Sequence, residues 1–343
     1  MKRKNQKIRM MRVLRTRTGY LAMVAALGLG GIIGLDRTEV TSSPIAPVSQ
    51  GIMGPIAQGV LDAEDAVLSA VSLPIEPGIT DTTQVAWDLP NLDHPRVDYW
   101  IERFQTDKRD DFATFLARKG RYAPMIREKL AERDMPQDLL YLAMIESGFN
   151  PRAYSSAKAS GIWQFIAETG QRYGLDVNRA IDERNDPEKA TDAALSYLSD
   201  LHDRFGSWYL AAAAYNTGEN RVGRIMREET GSERGDEESF YRIAHRLPKE
   251  TRDYVPLMVA AARISKEPVK YGFAGIEPHE PLAAQKIVAR PATPLATIAK
   301  KSGTTVAEIK RLNPQLKLNR TRNDIASELR VPLGESESDR IAR

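Results

Sequence analysis

The residue with the clearest potential for chemistry is Glu146, which lies near the end of the apolar stretch LLYLAMIES at residues 139–147. A run this apolar predicts a helix buried on all sides, and Gly148 followed by Asn150-Pro151 predicts where that helix ends. Burial and the partial negative charge of a helix C-terminus both disfavour a carboxylate, so both raise its pKa. A carboxylic acid that stays protonated near neutral pH can serve as a general acid. On its own, however, such a glutamate is more often a solvated last-turn residue.

The elements that must position Glu146 are helices. Between residues 97 and 265, apolar residues recur at three- and four-residue spacing, with no sustained two-residue alternation. Beyond the Glu146 helix, this pattern predicts helices over residues 163–173, 190–205, 208–216 and 249–265, the second of them opened by Asp186-Pro187. The expected fold is therefore mainly α, with an all-α domain of about 180 residues.

Four stretches of this domain, taken together, carry a resemblance to a known family. They are Glu146-Ser147, GIWQF at residues 161–165, AYNTG at 214–218 and ETRDYVP at 250–256. In order and spacing they resemble the soluble lytic transglycosylase (SLT) family of peptidoglycan-cleaving enzymes, with the strongest likeness to its membrane-bound D-type subgroup. The resemblance covers about residues 98–271 and implies a lysozyme-like all-α catalytic domain.

The resemblance implies a reaction for Glu146. It would protonate the β-1,4 glycosidic oxygen between N-acetylmuramic acid and N-acetylglucosamine. It would then act as base on the muramyl C6 hydroxyl, which closes a 1,6-anhydro ring. Two alternatives stay open: a muramidase of the same superfamily that uses water instead, and a non-catalytic peptidoglycan-binding protein. The presence of Glu146 argues against the second, and the lack of an obvious base carboxylate in the motifs argues against the first.

The resemblance also implies a set of substrate-binding residues, each of which has a plainer structural interpretation. Ser147 is expected to help orient Glu146, and Ser155 to reach the N-acetyl or glycosidic region, although it could simply cap its own loop. The amides can donate to and accept from an acetamido group, and the phenols can tune the acid and hold the sugar. The full set is Ser147, Ser155, Gln164, Ile166, Tyr215, Asn216 and Tyr254. Every member except Ser147 and Ser155 could instead be an ordinary core residue.

A second module is predicted at the C-terminal end, where the composition changes. Residues 285–334 contain ten Lys and Arg residues against three acids. Their pattern is strand, helix, helix, strand over residues 286–289, 295–301, 306–312 and 329–331. The residues PLATIA at 294–299, GTT at 303–305 and LNP at 312–314 resemble the LysM domain, a small α+β (βααβ) carbohydrate-binding repeat. Such a basic module would also attract a polyanionic wall through a salt-screened field.

The N-terminus predicts export. Residues 1–18 carry eight Lys and Arg residues and no acid, and the uncharged stretch YLAMVAALGLGGIIGL follows at residues 20–35. This arrangement is typical of a signal peptide or of an N-terminal inner-membrane anchor, and both interpretations stay open. In either case the remainder is expected to be periplasmic, in the bacterial cell envelope.

Composition excludes several classes of site. The chain has no cysteine, which rules out disulfides, iron–sulfur clusters and thiolate zinc. Its four histidines show no ligand spacing, so we expect neither a metal nor a cofactor. The net charge of +3 comes from the basic leader, and without it 41 basic residues face 46 acidic ones. The expected partner is therefore the peptidoglycan glycan strand rather than nucleic acid.

These patterns predict five regions along the chain. Residues 1–36 would form the signal or anchor, 37–90 a flexible linker, and 91–272 the catalytic domain. After a Gly- and Pro-rich linker, residues 285–334 would form the LysM-like module, and 335–343 a disordered tail.

Overall fold

The structure is a computed structural model that describes residues 86–333. These residues all belong to one compact unit. The predicted leader, most of the predicted linker that follows it, and the predicted tail lie outside the described residues. Within them, no helix is long and apolar enough to cross a membrane.

Residues 95–266 are mainly helical, in agreement with the all-α fold expected for residues 91–272. Nine α-helices are described here, joined by turns, three short 3₁₀ helices and isolated β-bridges. The 3₁₀ helices span Gln137–Leu139, Glu183–Asn185 and Ala244–Arg246. The α-helices are α1 (Pro95–Gln105), α2 (Arg109–Ala131), α3 (Leu140–Ser147), α4 (Ala167–Arg172), α5 (Pro187–Phe205), α6 (Trp208–Thr217), α7 (Glu219–Thr230), α8 (Glu237–Ile243) and α9 (Lys249–Lys266).

The centre of this helical part is formed by α3, α6 and α9. Residues 140–144 of α3 are almost completely buried, which confirms the helix predicted from its apolar run. Helix α6 is buried from Tyr209 to Thr217, and α9 packs against both α3 and α6. Each fully buried leucine contributes about 1.5–3 kcal/mol relative to an exposed one. The packing of these apolar residues fixes the position of the C-terminal end of α3, where Glu146 lies.

The end of α3 is set by Gly148, as predicted. This residue has φ +56°, the left-handed conformation that glycine adopts most readily, and its N–H donates to Met144 O at 2.8 Å. A Cβ atom here would lie 2.0 Å from the Phe115 ring. The close approach of α2 therefore also requires glycine at this position.

The helix predicted over residues 163–173 is wrong in its first part, since α4 begins only at Ala167. Gln164 has φ +49°, and Ser160 N–H donates to Phe165 O at 2.9 Å, so the chain forms a tight turn. The preceding Gly161 packs so closely on the carbonyl of Arg184 that a Cβ atom would lie 1.7 Å from its oxygen. Contacts from a distant segment therefore override the local helical preference.

Two further differences concern helix lengths and number. The apolar residues around Phe112 and Met125 lie on the single long helix α2, although Pro124 stands within it. Helices α7 and α8 are not predicted by the sequence pattern. Asp186 caps α5 as expected, because its side chain accepts from the N–H groups of Glu188 and Lys189.

The C-terminal residues form the predicted βααβ arrangement. Strand β1 (Ala284–Ala289) pairs antiparallel with β2 (Ser327–Pro332), and α10 (Leu295–Lys301) and α11 (Val306–Leu312) lie between them in sequence. A separate apolar cluster forms their core, with Leu295, Ile309 and Leu329 at its centre. The fold class is thus confirmed as mainly α, followed by a small α+β part.

The segment between the two parts is packed rather than free. Phe273 is buried with its ring centroid 5.3 Å from that of Phe112, and His279 N–H donates to Ala117 O at 2.8 Å. Both partners belong to α2. The Gly- and Pro-rich composition therefore marks a change of region, although the segment itself lies along a helix.

Candidate active site

Glu146 lies on the last turn of α3, with only 3% of its surface exposed. Burial raises its pKa well above the ordinary carboxyl value, because the charged form loses its hydration. The Tyr254 hydroxyl opposes this by donating a hydrogen bond to Glu146 Oε1 at 2.5 Å. The nearby charge of Glu250 raises the pKa further. Burial is the largest of these effects, so the site favours the protonated form of this carboxyl group.

The second carboxyl oxygen, Glu146 Oε2, is buried and has no hydrogen-bond partner within the described part of the chain. A buried polar atom without a protein partner is costly and requires an explanation, of which a catalytic role is one. Oε2 is the oxygen that could carry the proton and meet an acceptor. This arrangement suits a general acid that delivers its proton to an incoming oxygen.

Tyr254 and Tyr215 both lie next to this carboxyl group. Burial raises the pKa of each phenol well above its usual value, and the Glu146 charge adds to the effect, so both stay protonated donors. Tyr254 comes from α9 and bonds Glu146 directly. Tyr215 comes from α6, is fully buried, and donates to Trp163 O at 2.8 Å. It therefore fixes the turn at residues 161–165 rather than the acid.

Ser147 ties the end of α3 to the same turn. Its hydroxyl lies 2.8 Å from Ile162 O, to which it donates, and it accepts from Asn150 N–H at 3.2 Å. Together with the Tyr215 bond to Trp163, this gives the turn at residues 161–165 two anchors beside Glu146. The geometry agrees with an orienting role for Ser147.

Gln164 is 1% exposed, and its amide nitrogen donates to Gly161 O at 2.8 Å and Ala153 O at 3.2 Å. Its positive φ and these bonds fix the side chain within the turn. Ile166 follows in extended conformation at the N-cap of α4 and is half-buried. The two residues thus stand on a rigid turn, and the structure brings that turn to Glu146 through Ser147 and Tyr215.

Ser155 lies on the loop that precedes this turn. Its hydroxyl accepts from Ala159 N–H at 3.1 Å, and its own N–H donates to Ala159 O at 3.0 Å. These bonds close its own loop, as the plainer interpretation expected. The described contacts do not connect Ser155 with Glu146.

Asn216 is the remaining predicted residue, and it is 2% exposed at the end of α6. Its carbonyl oxygen accepts from Thr251 Oγ1 at 2.7 Å, and its amide nitrogen lies 3.4 Å from Glu250 Oε1. These contacts connect α6 to the start of α9. They also place Glu250, which shifts the pKa of Glu146, within the same polar group.

Two residues of the site were not singled out from the sequence. Glu250 stands in the ETRDYVP motif, where its charge and its four-residue spacing from Tyr254 were the available signals. Arg184 donates to Lys158 O at 2.8 Å and Phe165 O at 2.9 Å, so it holds the last residue of the Gln164 turn and the loop before that turn. Nothing local in the sequence marks Arg184 as a residue of the site, because the carbonyls through which it reaches this turn lie 26 and 19 residues away in the chain.

A metal is not suggested by the surroundings of Glu146. Within residues 86–333, no group of three or more His, Asp or Glu side chains could hold a metal ion. The described groups that act directly on Glu146 are instead the phenol of Tyr254 and the carboxylate of Glu250.

Comparisons with known proteins agree with this geometry. Residues 124–237 match the transglycosylase SLT domain family, and residues 283–342 match the LysM-like domain of lytic transglycosylase MltD. The predicted resemblance is confirmed. The first match covers part of the helical region, and the second covers the C-terminal α+β part.

Two proteins to which the chain is similar are named as lytic murein transglycosylases. The chain is 36% identical over 197 residues to membrane-bound lytic murein transglycosylase D of Escherichia coli, covering 57% of this chain and 43% of that protein. It is 30% identical over 123 residues to membrane-bound lytic murein transglycosylase C of Photorhabdus laumondii, covering 32% of this chain and 34% of the relative. The chain thus spans less than half the length of these relatives.

A solved structure shows a partial overlap. The 70 kDa soluble lytic transglycosylase of Escherichia coli aligns with 52% of this chain and 30% of its own, at 22% identity and a TM-score of 0.39.

Proposed function

We propose that this protein is a lytic murein transglycosylase, a carbon–oxygen lyase that cleaves the β-1,4 bond between N-acetylmuramic acid and N-acetylglucosamine in peptidoglycan. The single observation that carries the proposal is the buried Glu146, hydrogen-bonded to Tyr254, whose second carboxyl oxygen has no partner among residues 86–333. The matches to the SLT and LysM-like families support the same substrate class.

One carboxyl group does both proton transfers in this proposal. Protonated Glu146 donates its proton to the glycosidic oxygen as the C1–O bond breaks. The resulting carboxylate then takes the proton of the muramyl C6 hydroxyl, whose oxygen bonds to C1 and closes the 1,6-anhydro ring. The proton count balances, no water is consumed, and Glu146 returns to its protonated form.

The surrounding residues have two proposed roles: some position Glu146 and the neighbouring turn, and others contact the sugar. Tyr254 positions the acid and stabilises its charged form, while Ser147 and Tyr215 hold the turn at residues 161–165. We propose that Gln164, Asn216, Ile166 and Ser155 face the sugar and its N-acetyl group. Gln164 is the best-supported residue of this set. Its turn is held by the bond from its own amide to Ala153 O and by the bond from Arg184 to Phe165 O.

The hydrolase alternative has one observation in its favour. Glu250 is a second carboxylate near enough to raise the pKa of Glu146, and a water-activating base is what a muramidase requires. Its contact with Asn216 gives it a second role, the support of that amide. The products of the reaction separate the two possibilities.

The proposal includes a place in the cell. The names of the relatives and the basic, apolar leader support an envelope location, with the catalytic part in the periplasm and the N-terminus near the inner membrane. The partner is the glycan strand of peptidoglycan.

The test of Glu146 is its replacement by glutamine, which keeps shape and size but cannot donate the proton. General acid–base catalysis contributes roughly 10²–10⁴-fold, so we expect release of soluble muropeptides from sacculi to fall by at least that factor. Glu102→Gln, on the exposed face of α1, is the matched control and should be unaffected. A folded Glu146→Gln protein that keeps more than about a tenth of the activity would contradict the proposal.

A further inference from the structure

The LysM-like module is docked on the helical part through a buried ion pair. Arg330 on β2 is 8% exposed, and its guanidinium bonds both oxygens of Asp186 at 2.8 and 3.0 Å. It also donates to Glu188 Oε1 at 3.1 Å. A bidentate, buried pair of this kind fixes orientation as well as distance.

Backbone hydrogen bonds join the same two parts. Asp182 N–H donates to Gln315 O at 2.9 Å, and Lys317 N–H donates to Ala180 O at 3.1 Å. Between them, Ile181 and Leu316 form an antiparallel bridge, and both side chains are buried. The module therefore adds a short strand-like pairing to the segment at residues 180–186.

That segment in turn holds the turn that carries Gln164. The Asp182 carboxylate pairs with the Arg184 guanidinium at 2.7 and 2.8 Å. Arg184 donates to the carbonyls of Lys158 and Phe165, and Ser160 Oγ bonds Asn185 Oδ1 at 2.7 Å. A continuous chain of contacts thus runs from the module to the turn beside Glu146.

Several basic residues of the module form ion pairs with acids of the helical part. Arg330 pairs with Asp186, Arg322 with Asp176, and Lys286 with Glu188. These three cations pair with acids of the helical part. That part of the module's positive charge therefore holds the module in place and is not available to attract a polyanionic cell wall.

We propose that the LysM-like module is a positioning element of the catalytic site. By clamping residues 180–186 it holds Arg184, and through Arg184 it holds the turn of Gln164 in the geometry that receives the sugar. Arg330 acts as a positioning residue and touches no substrate. The consequence for catalysis rests on the proposed function, whereas the mechanical coupling does not.

The first test measures that coupling without any substrate. Arg330→Gln in the full chain removes the ion pair, and hydrogen exchange is followed at the amides of Ser160 and Gly161. Exchange there should accelerate by at least about tenfold, since breaking a buried ion pair costs more than the free energy of a factor of ten. Arg320→Gln, an exposed arginine of the same module, is the control and should leave exchange unchanged. Unchanged exchange in Arg330→Gln would overturn the coupling.

The second readout is kinetic. Loosening the Gln164 turn should raise KM for short soluble glycans by about threefold or more and lower kcat less, because Glu146 and Tyr254 stay in place. Arg330→Lys keeps the charge and should restore part of both the exchange protection and KM. If exchange accelerates but no glycan is cleaved by the wild type, the proposed function fails while the coupling stands.

A crosslink tests the docking itself, also if Arg330→Gln fails to fold. Directly opposed residues of an antiparallel pair have Cα atoms about 4.5–5.5 Å apart, within the range that a disulfide spans. Since the chain has no cysteine, Ile181→Cys/Leu316→Cys should form a single disulfide with diamide as oxidant. The disulfide should restore exchange protection in Arg330→Gln or, if that protein is unfolded, in Arg330→Lys. Failure to crosslink, or a crosslink that does not restore protection, would contradict the proposal.

Discussion

The hydrogen bond from Tyr254 to Glu146 gives the sharpest quantitative prediction. Tyr254→Phe removes one oxygen and leaves the ring in its buried place. The lost bond, 2.5 Å long in the structure, stabilises the charged form of the acid. A hydrogen bond to a charged group contributes about 1.5–3 kcal/mol. At 1.4 kcal/mol per factor of ten, the ionisation constant of Glu146 should fall about 10- to 100-fold.

The direction of the pH effect follows from the role of the acid. The proposed reaction needs protonated Glu146, so activity should decline as pH rises through its pKa. Removing the Tyr254 hydroxyl raises that pKa further, and the basic limb of kcat/KM should move to higher pH by about one to two units. The assay is muropeptide release from sacculi across the pH range, with ¹³C NMR of the Glu146 carboxyl group as a direct check.

The control is Tyr209→Phe, a buried tyrosine on α6 whose hydroxyl bonds Pro90 O instead of the acid. It should leave the pH profile unchanged. A basic limb that stays in place in Tyr254→Phe, or that moves to lower pH, would refute the assignment of Glu146 as the group that titrates.

Three further predictions concern Glu146 and its surroundings. Glu146→Gln should raise the free energy of unfolding at pH 8 by more than about 1 kcal/mol, because the native state binds the proton more tightly than the unfolded chain. Urea unfolding should show that this gain in the free energy of unfolding becomes smaller as the pH falls from 8 to the ordinary carboxyl pKa. An equal gain at both ends of this range would contradict the prediction. Gly148→Ala should destabilise by about 1–3 kcal/mol through its positive φ and its clash with Phe115, and wild-type stability would contradict the close packing seen there. Glu250→Gln should move the basic limb to lower pH, because it removes a nearby negative charge; a shift to higher pH would be inconsistent with that charge effect.

Much of the architecture could be predicted from local patterns. The module's helices at Leu295–Lys301 and Val306–Leu312 match the predicted ranges, because period, caps and turn residues agree there. The burial of Glu146 could be inferred since its helix is apolar on every side. In both cases the information lies within a few residues of the feature.

What the sequence did not reveal depends on contacts between distant residues. The Gln164 turn replaces a predicted helix because Arg184, 19 residues beyond Phe165, bonds its backbone. Arg330 and Asp186 are 144 residues apart, and no local pattern shows that they pair. Periodicity reports which face of an element is buried, but it does not report which buried faces meet.

The most direct test of the central claim is the mass of the products. Digests of purified sacculi, analysed by mass spectrometry, should contain fragments that end in 1,6-anhydromuramic acid and have no reducing end. Hydrolysis, the two-carboxylate alternative, adds water and makes each fragment roughly 18 Da heavier. Anhydro ends that vanish in Glu146→Gln are the predicted result. Reducing-end fragments as the main product would contradict the transglycosylase assignment and direct attention to Glu250 as the base.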